Sequence, residues 1–268
     1  MNNSQSQKKP IDKGRYFSSL NSKSSFWIRV KMILNVSISM AVLVFWSLLM
    51  ALIALLTLFR ARRLYNEYLA KWLAQFLLWQ WRINVIVHDK KEQTGQVIYI
   101  SNHSSTIDIF VLLSLGLVRC RYFLFGGVRR IIPLGIIATI MGTFFTFPQS
   151  QPEKRTRVFK KANATLQNTG ESVYLSPEGK RVTSGKIGHF NKGAFHLATN
   201  LEVPIVPFYI QIPQQINPGV GLNIKPGTIH VYFKEPIETS HWKLEDLIDN
   251  KEKVKKLFKD YQLQHPSH

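Results

Sequence analysis

His103 and Asp108 stand five residues apart, at the point where a β-like apolar run gives way to a helical one. An imidazole beside a carboxylate is a base with its orienter. The carboxylate fixes the tautomer at one ring nitrogen, and the other nitrogen is left to take a proton from a hydroxyl. In a continuous helix, residues five apart lie about 140° around the axis, so they cannot meet there. They can meet only if His103 sits in a turn and Asp108 one turn into the following helix. The flanks allow that arrangement. Val97-Ile98-Tyr99-Ile100 is β-branched and aromatic and predicts a buried strand ending in Asn102 and His103. Ser104, Ser105 and Thr106 are N-cap candidates for a helix over residues 108–117. A plainer reading fits the same residues: a strand-end histidine followed by an acid that the helix dipole favours.

The elements that position this pair must come from a chain of 268 residues, enough for one large α/β domain and an appendage. The 35 Lys+Arg against 16 Asp+Glu give a formal net charge of +19, which suits nucleic acid or an anionic membrane. Hydropathy decides for the membrane. Residues 33–59 are almost wholly apolar and long enough for a hydrocarbon core about 30 Å thick. A cleaved signal peptide is not expected, because the run is long and distant from Met1 and no small-residue cleavage site follows. Residues 1–23 predict a disordered basic tail, and residues 24–81 a membrane-associated helical segment.

Lys23, Arg29 and Lys31 precede the apolar run and Arg60, Arg62 and Arg63 follow it, so charge gives no orientation. Residues 64–81 carry Tyr65, Tyr68, Trp72, Phe76 and Trp79 and predict an aromatic amphipathic helix. Two arrangements stay open. One is a helical hairpin dipping into one leaflet; the other is a single span followed by a core helix of the domain. The single cysteine, Cys120, forms no internal disulfide and is expected to be buried.

From residue 82 to 268, strand-like and helix-like stretches alternate, which predicts an α/β domain with its site at strand ends. Strands are expected at 83–87, 97–100, 122–125, 144–147, 173–175, 203–210 and 228–233. Helices are expected at 108–117, 153–169, 193–200 and 244–258, with residues 129–142 an apolar segment broken at Pro133 and Gly135. Pro204 and Pro207 are expected to interrupt ladder pairing in their strand. Pro177-Glu178-Gly179-Lys180-Arg181 forms a turn with an acid and two cations, suited to gripping an anion such as phosphate or simply to a solvated loop. Lys192 and Gly193 open a helix, a second candidate anion site.

Taken in order, Asn102-His103 with Asp108, Pro177-Glu178-Gly179 with Arg181, Phe190 with Lys192-Gly193, and Val203-Pro204-Ile205-Val206-Pro207 resemble the glycerolipid acyltransferase family. The likeness is above all to the 1-acylglycerol-3-phosphate acyltransferases, over roughly residues 80–240. It implies a mixed α/β sheet flanked by helices and preceded by a membrane helix or helical hairpin. The implied reaction is acyl transfer from acyl-CoA or an acyl-carrier protein to the hydroxyl of a lysophospholipid, with phosphatidic acid as product. His103 is then the base and Asp108 its orienter. Asn102, Glu178, Gly179, Lys180, Arg181, Lys192 and Gly193 are the implied substrate-binding residues. The expected partners are the anionic membrane, the lysophospholipid acceptor and the acyl thioester. The implied location is the membrane, with the site on the cytoplasmic side. No nucleic acid, no metal and no cofactor are expected.

Where the family usually shows Gly-x-x-Phe-x-x-Arg, the chain has Gly142-Thr143-Phe144-Phe145-Thr146-Phe147-Pro148, so Pro148 stands in place of a phosphate-binding arginine. Ser176 and Lys180 stand where Phe and Thr are common. Lys180 is the expected substitute cation, forming a clamp with Arg181. Direct attack of the acceptor hydroxyl on the thioester is the expected mechanism, with an acyl-enzyme on Ser104 or Ser105 as its rival. Two other functions stay open: the same chemistry on glycerol 3-phosphate, another lysophospholipid or a lyso-aminolipid, and a catalytically dead basic membrane-binding protein.

Overall fold

The computed structural model describes residues 26–219, 221 and 224–265; the basic tail read in residues 1–23 lies outside them. Helix α1, Phe26–Leu56, is an apolar run with no Gly or Pro to break it. Leu58 and Phe59 take positive φ values of 48° and 58° and reverse the chain. A π-helical turn, Leu64–Leu69, runs into α2, Ala70–Gln80. The indole N–H of Trp46 donates to the Leu69 carbonyl at 3.0 Å, and that of Trp81 to Ser39 Oγ at 2.8 Å. The two helices are therefore an antiparallel hairpin.

Helix α2 has two kinds of face. Leu73, Ala74 and Leu77 are buried in the domain core, while Trp72, Phe76 and Trp79 face outward. The π turn directs Asn66 inward, where its amide donates to the Cys120 and Met141 carbonyls at 3.0 and 3.3 Å. Cys120 is buried, as expected. Arg29–Leu56 is long and apolar enough to cross a membrane by length and composition, and 28% of its apolar window is buried.

The strands are β1 (Ile83–His88), β2 (Ile98–Ser101), β3 (Cys120–Phe125), β4 (Phe144–Thr146), β5 (Ser172–Tyr174), β6 (Ile205–Gln211) and β7 (Gly227–Phe233). They form one sheet in the order β1-β7-β6-β2-β5-β3-β4. All neighbours are parallel except β6 and β7, so the sheet is mixed. Between the strands lie α3 (Asp108–Ser114), α4 (Ile132–Ile140), α5 (Pro152–Thr169) and α6 (Gly193–Leu201), with α7 (Leu247–Gln264) last.

Strand periodicity sorts the core into two layers. Tyr99, Tyr122 and Phe208 pack on the face covered by the hairpin, α3 and α4. Ile98, Ile100 and Phe123 pack on the face covered by α5, α6 and α7.

Three local expectations are corrected. Helix α3 stops at Ser114 rather than at residue 117, because Gly116 turns left-handed at φ 56°. Pro133 starts α4 rather than breaking it: it stands in the first turn, where its missing N–H has no helical partner to lose. Pro207 lies inside β6 in register with Ile100 of β2, so it does not interrupt that ladder, although pairing with β7 begins one residue later, at Phe208 opposite Phe233; Pro204 stands before the strand. The Pro207 carbonyl still accepts from Lys234 N–H at 3.0 Å.

Candidate active site

The buried strand β2 ends at Ser101, and its next residue anchors the loop that follows. The Asn102 side chain donates to the Ile210 carbonyl at 2.9 Å and accepts from the Ile210 N–H at 2.8 Å. Asn102 thus clips the start of the loop to β6. Its amide is committed to backbone rather than offered to a substrate, which departs from the binding role expected of it. His103 is held from both sides. Its N–H donates to Glu178 Oε2 at 2.6 Å, and its carbonyl accepts from Val182 N–H at 2.8 Å.

His103 Nδ1 lies 2.7 Å from Asp108 Oδ2, in the turn-to-helix arrangement that the spacing requires. The same oxygen accepts the backbone N–H of Ser104 at 2.8 Å and of Ser105 at 3.0 Å. No Ser or Thr side chain caps α3, contrary to the N-cap expectation; the carboxylate of Asp108 ties down the preceding turn instead. With Nδ1–H donated to Asp108, the lone pair sits on Nε2 of a half-exposed ring, beside a small cavity lined by Ser104, Lys186, Tyr209, Gln214 and Asn217.

Ser105 is unavailable as a nucleophile. It is buried, its hydroxyl donates to Asn217 Oδ1 at 2.8 Å, and its Oγ accepts from Ile107 N–H at 3.2 Å. Neither Ser104 nor Ser105 is hydrogen-bonded to the imidazole.

The Pro-Glu-Gly turn divides its labour differently from the sequence expectation. Glu178 is 4% exposed, and its two oxygens accept the N–H groups of His103 and Gly188, each at 2.6 Å. Burial raises its pKa to about 7, against the pull of those two amides and of His103. Glu178 therefore joins the His103 loop to residues 182–189, at the wall of the cavity that His103 also lines. Gly179 has φ 64°, and a Cβ there would meet Asn191 Nδ2 at 2.7 Å, so glycine is required for the turn. Arg181 donates to the hydroxyl of Thr106, within the His103–Asp108 loop, and to the Gly219 carbonyl at 3.4 Å.

Lys180 does not join that clamp. It is exposed and lines neither the His103 cavity nor the Arg181 contact. The lysine that lines the cavity is Lys186. Lys192 and Gly193 are also absent from the cavity wall. Gly193 is instead a packing glycine, since a Cβ would meet the Phe159 ring at 2.5 Å. Sequence reasoning missed Lys186, Asn217 and Gln262. Gln262 on α7 straps the 182–189 loop, taking the Ile187 N–H at 3.2 Å and donating to the Gly185 carbonyl. Its only sequence signal was a polar residue on an amphipathic helix.

Residues 82–211 match the family model described as Acyltransferase. The chain thus carries an acyltransferase-family domain, with the His103–Asp108 pair inside it. Among its relatives, a chloroplastic 1-acyl-sn-glycerol-3-phosphate acyltransferase of Arabidopsis thaliana is 31% identical over 67% of this chain and 50% of its own length. The beta form of that enzyme from Homo sapiens is 28% identical over 67% of this chain and 65% of its own. The chain spans about half the length of the two chloroplast relatives it matches, 50% and 52%. The crystal structure of the 1-acyl-sn-glycerophosphate acyltransferase PlsC from Thermotoga maritima superposes with a TM-score of 0.71, covering 86% of this chain and 94% of that one at 20% identity. That likeness is one of fold.

Proposed function

We propose that this chain is a membrane-bound acyltransferase. It moves a fatty acyl group from acyl-CoA or an acyl-carrier protein to the free hydroxyl of 1-acylglycerol 3-phosphate and makes phosphatidic acid. The observation that carries this reading is His103 Nδ1 held by Asp108, with the ring at the wall of a cavity that Ser104, Lys186, Tyr209, Gln214 and Asn217 also line. Nε2 takes the acceptor's hydroxyl proton as its oxygen adds to the thioester carbonyl. The tetrahedral intermediate then collapses, the carbon–sulfur bond breaks, and the imidazolium returns its proton to the departing thiolate. Direct attack is favoured over an acyl-enzyme because no serine is hydrogen-bonded to the base.

Arg181, the cation bonded into the His103 loop, is the acceptor's phosphate ligand in this reading. The outward-facing Trp72, Phe76 and Trp79, with the exposed Phe45, Leu48 and Leu55 of α1, form the apolar surface that meets the membrane. The site faces the cytoplasm, where thioester donors are made, and needs no metal or cofactor.

A second reading, the same transfer to another glycerolipid or lysolipid acceptor, is favoured by two observations: Pro148 replaces the family's arginine, and Lys180 stands away from the clamp. A thiol-release assay with purified protein, palmitoyl-CoA and a panel of acceptors separates the two. Lysophosphatidate is expected to be the fastest acceptor. A faster lysolipid without a phosphate monoester would move the assignment to the second reading, and no thiol release with any pair would end both.

A further inference from the structure

The loop of residues 182–189 is tied down at both ends and in the middle, yet it carries a cation that no acid holds. Val182 N–H bonds to the His103 carbonyl at 2.8 Å, and Gly188 N–H to Glu178 Oε1 at 2.6 Å. Between them Gln262 takes the Ile187 N–H at 3.2 Å and donates to the Gly185 carbonyl. Both bends need glycine: Gly185 has φ 70°, and a Cβ on Gly188 would meet Val182 Cγ2 at 2.7 Å. Lys186 stands between the two residues that Gln262 ties. It is exposed, forms no ion pair among the described residues, and lines the cavity that His103 also lines. That cavity is small, about 40 Å³, with room for about three water molecules. Among the described residues of its wall, Lys186 is the only lysine or arginine and Glu178 the only carboxylate. Both Glu178 oxygens are already taken by backbone amides.

We infer that Lys186 receives the acceptor's phosphate monoester, in the role that Pro148 leaves empty. The inference rests on the acyl-transfer reading and names the residue that makes this site prefer a phosphorylated acceptor. In lysophosphatidate, four single bonds of about 1.5 Å join the reacting oxygen to phosphorus, a reach of no more than about 5 Å. That oxygen must also come within about 2.8 Å of the imidazole nitrogen that takes its proton. The phosphate is therefore held near His103, and a cation in the wall of the same void is placed to meet it. Lys186 is such a cation, whereas Lys180 does not line the cavity. Arg181 holds the rim, with Nη1 engaged by the Thr106 hydroxyl and the Gly219 carbonyl, and its other N–H groups are left to share the phosphate. The tied loop fixes where Lys186 begins, and its four-carbon stem lets the ammonium follow the phosphate. Monoacylglycerol presents the same kind of hydroxyl with no charge for Lys186 to hold.

The test compares the full-length wild type with Lys186→Ala, Lys186→Glu and Lys186→Arg in neutral detergent micelles. Palmitoyl-CoA is the donor, and lysophosphatidate or monoacylglycerol the acceptor. Lys186→Ala is expected to raise the lysophosphatidate KM about tenfold or more, the size of a lost charge-assisted contact, with the donor KM unchanged. Lys186→Glu should raise it further and Lys186→Arg should restore most of it, while the monoacylglycerol rate stays the same in all four proteins. Lys180→Ala removes an exposed cation outside the cavity, controls for bulk surface charge, and should match wild type. An unchanged lysophosphatidate KM in Lys186→Ala overturns the inference. So does an equal loss on monoacylglycerol, the mark of a displaced loop, or an equal rise in Lys180→Ala. A rise seen instead in Arg129→Ala/Arg130→Ala also overturns it and hands the phosphate to the basic groove at the ends of β3 and β4. Equilibrium binding of lysophosphatidate to the same proteins reads Lys186 without turnover. Weakened binding with no thiol release in wild type would remove the reaction and leave the phosphate site; turnover with an unchanged acceptor KM would remove Lys186 and leave the reaction.

Discussion

At the end of β2, Asn102, Asp108 and Glu178 place their polar atoms on the Ile210 backbone, on His103 and on loop amides. At the ends of β3 and β4, Arg129, Arg130, Lys154 and Lys161 lie open along an exposed groove with no acid opposite them. The same sheet edge thus carries a corner tied together by its own hydrogen bonds, though Asp108 Oδ1 and Asn217 Nδ2 stay buried without a partner, and one whose cations lie open. A reacting group needs a fixed position before the substrate arrives, whereas exposed cations keep the freedom to adjust.

Breaking the fixed corner should have the largest effect. His103→Ala should lower turnover by at least ~10²-fold with little loss of folded protein, and Asp108→Asn should be comparably severe, because it removes the partner that sets the tautomer. Near-native turnover of either variant on its best acceptor would remove the distinction between the two corners. Next in size is Asn102→Ala, which strands the buried N–H and carbonyl of Ile210. It should cost about 2 to 5 kcal/mol in chemical denaturation, whereas Lys154→Ala should change stability by less than about 0.5 kcal/mol.

Glu178 sharpens the contrast through pH. Its folded pKa of about 7 lies above the ordinary value of 4.5, so the folded state binds this proton more tightly than the unfolded chain does. The group therefore favours folding most at low pH, and that contribution falls as pH rises through the window from 4.5 to about 7. Glu178→Gln should show a flatter stability profile across that window, measured as melting midpoints at successive pH values. A parallel profile would mean that the carboxylate does not titrate there. The smallest effects belong to the Pro-Glu-Gly turn's cations. Arg181→Ala should raise the acceptor KM by about tenfold, and Lys180→Ala should leave it unchanged. An equal rise in both would restore the two-cation clamp expected from sequence.

What could be read from the sequence was what depends on near neighbours. His103 and Asp108 pair through a turn that their own spacing dictates, and β2, β6 and β7 are written in β-branched and aromatic runs. The roles of Asn102 and Glu178 were hidden because their partners, Ile210 and Gly188, are distant in the chain or in a loop of unforeseen path. Lys180 and Lys186 look equivalent in a basic loop. Which one reaches the cavity is decided by Val182 N–H bonding back to the His103 carbonyl, and that contact leaves no local mark. Pro133 was misread as a break because the boundary of α4 could not be located from composition alone.

The pairing of β1 has a consequence for how the chain is made. Among the described residues β1 joins the sheet only through β7, with Ile83 opposite Gly227, so the first strand to leave the ribosome waits for the last. Until then β1 has an unpaired edge, a hazard for wrong association in a nascent chain. The waiting strand follows directly on α2, and the Gly227 N–H closes onto the Arg82 carbonyl at 3.2 Å, at the joint between hairpin and sheet. A hairpin that reaches the membrane early would hold β1 there, away from other chains, while the rest of the sheet is synthesised. Ribosome-bound chains stalled before residue 227 should therefore leave β1 open to protease, and full-length chains should protect it.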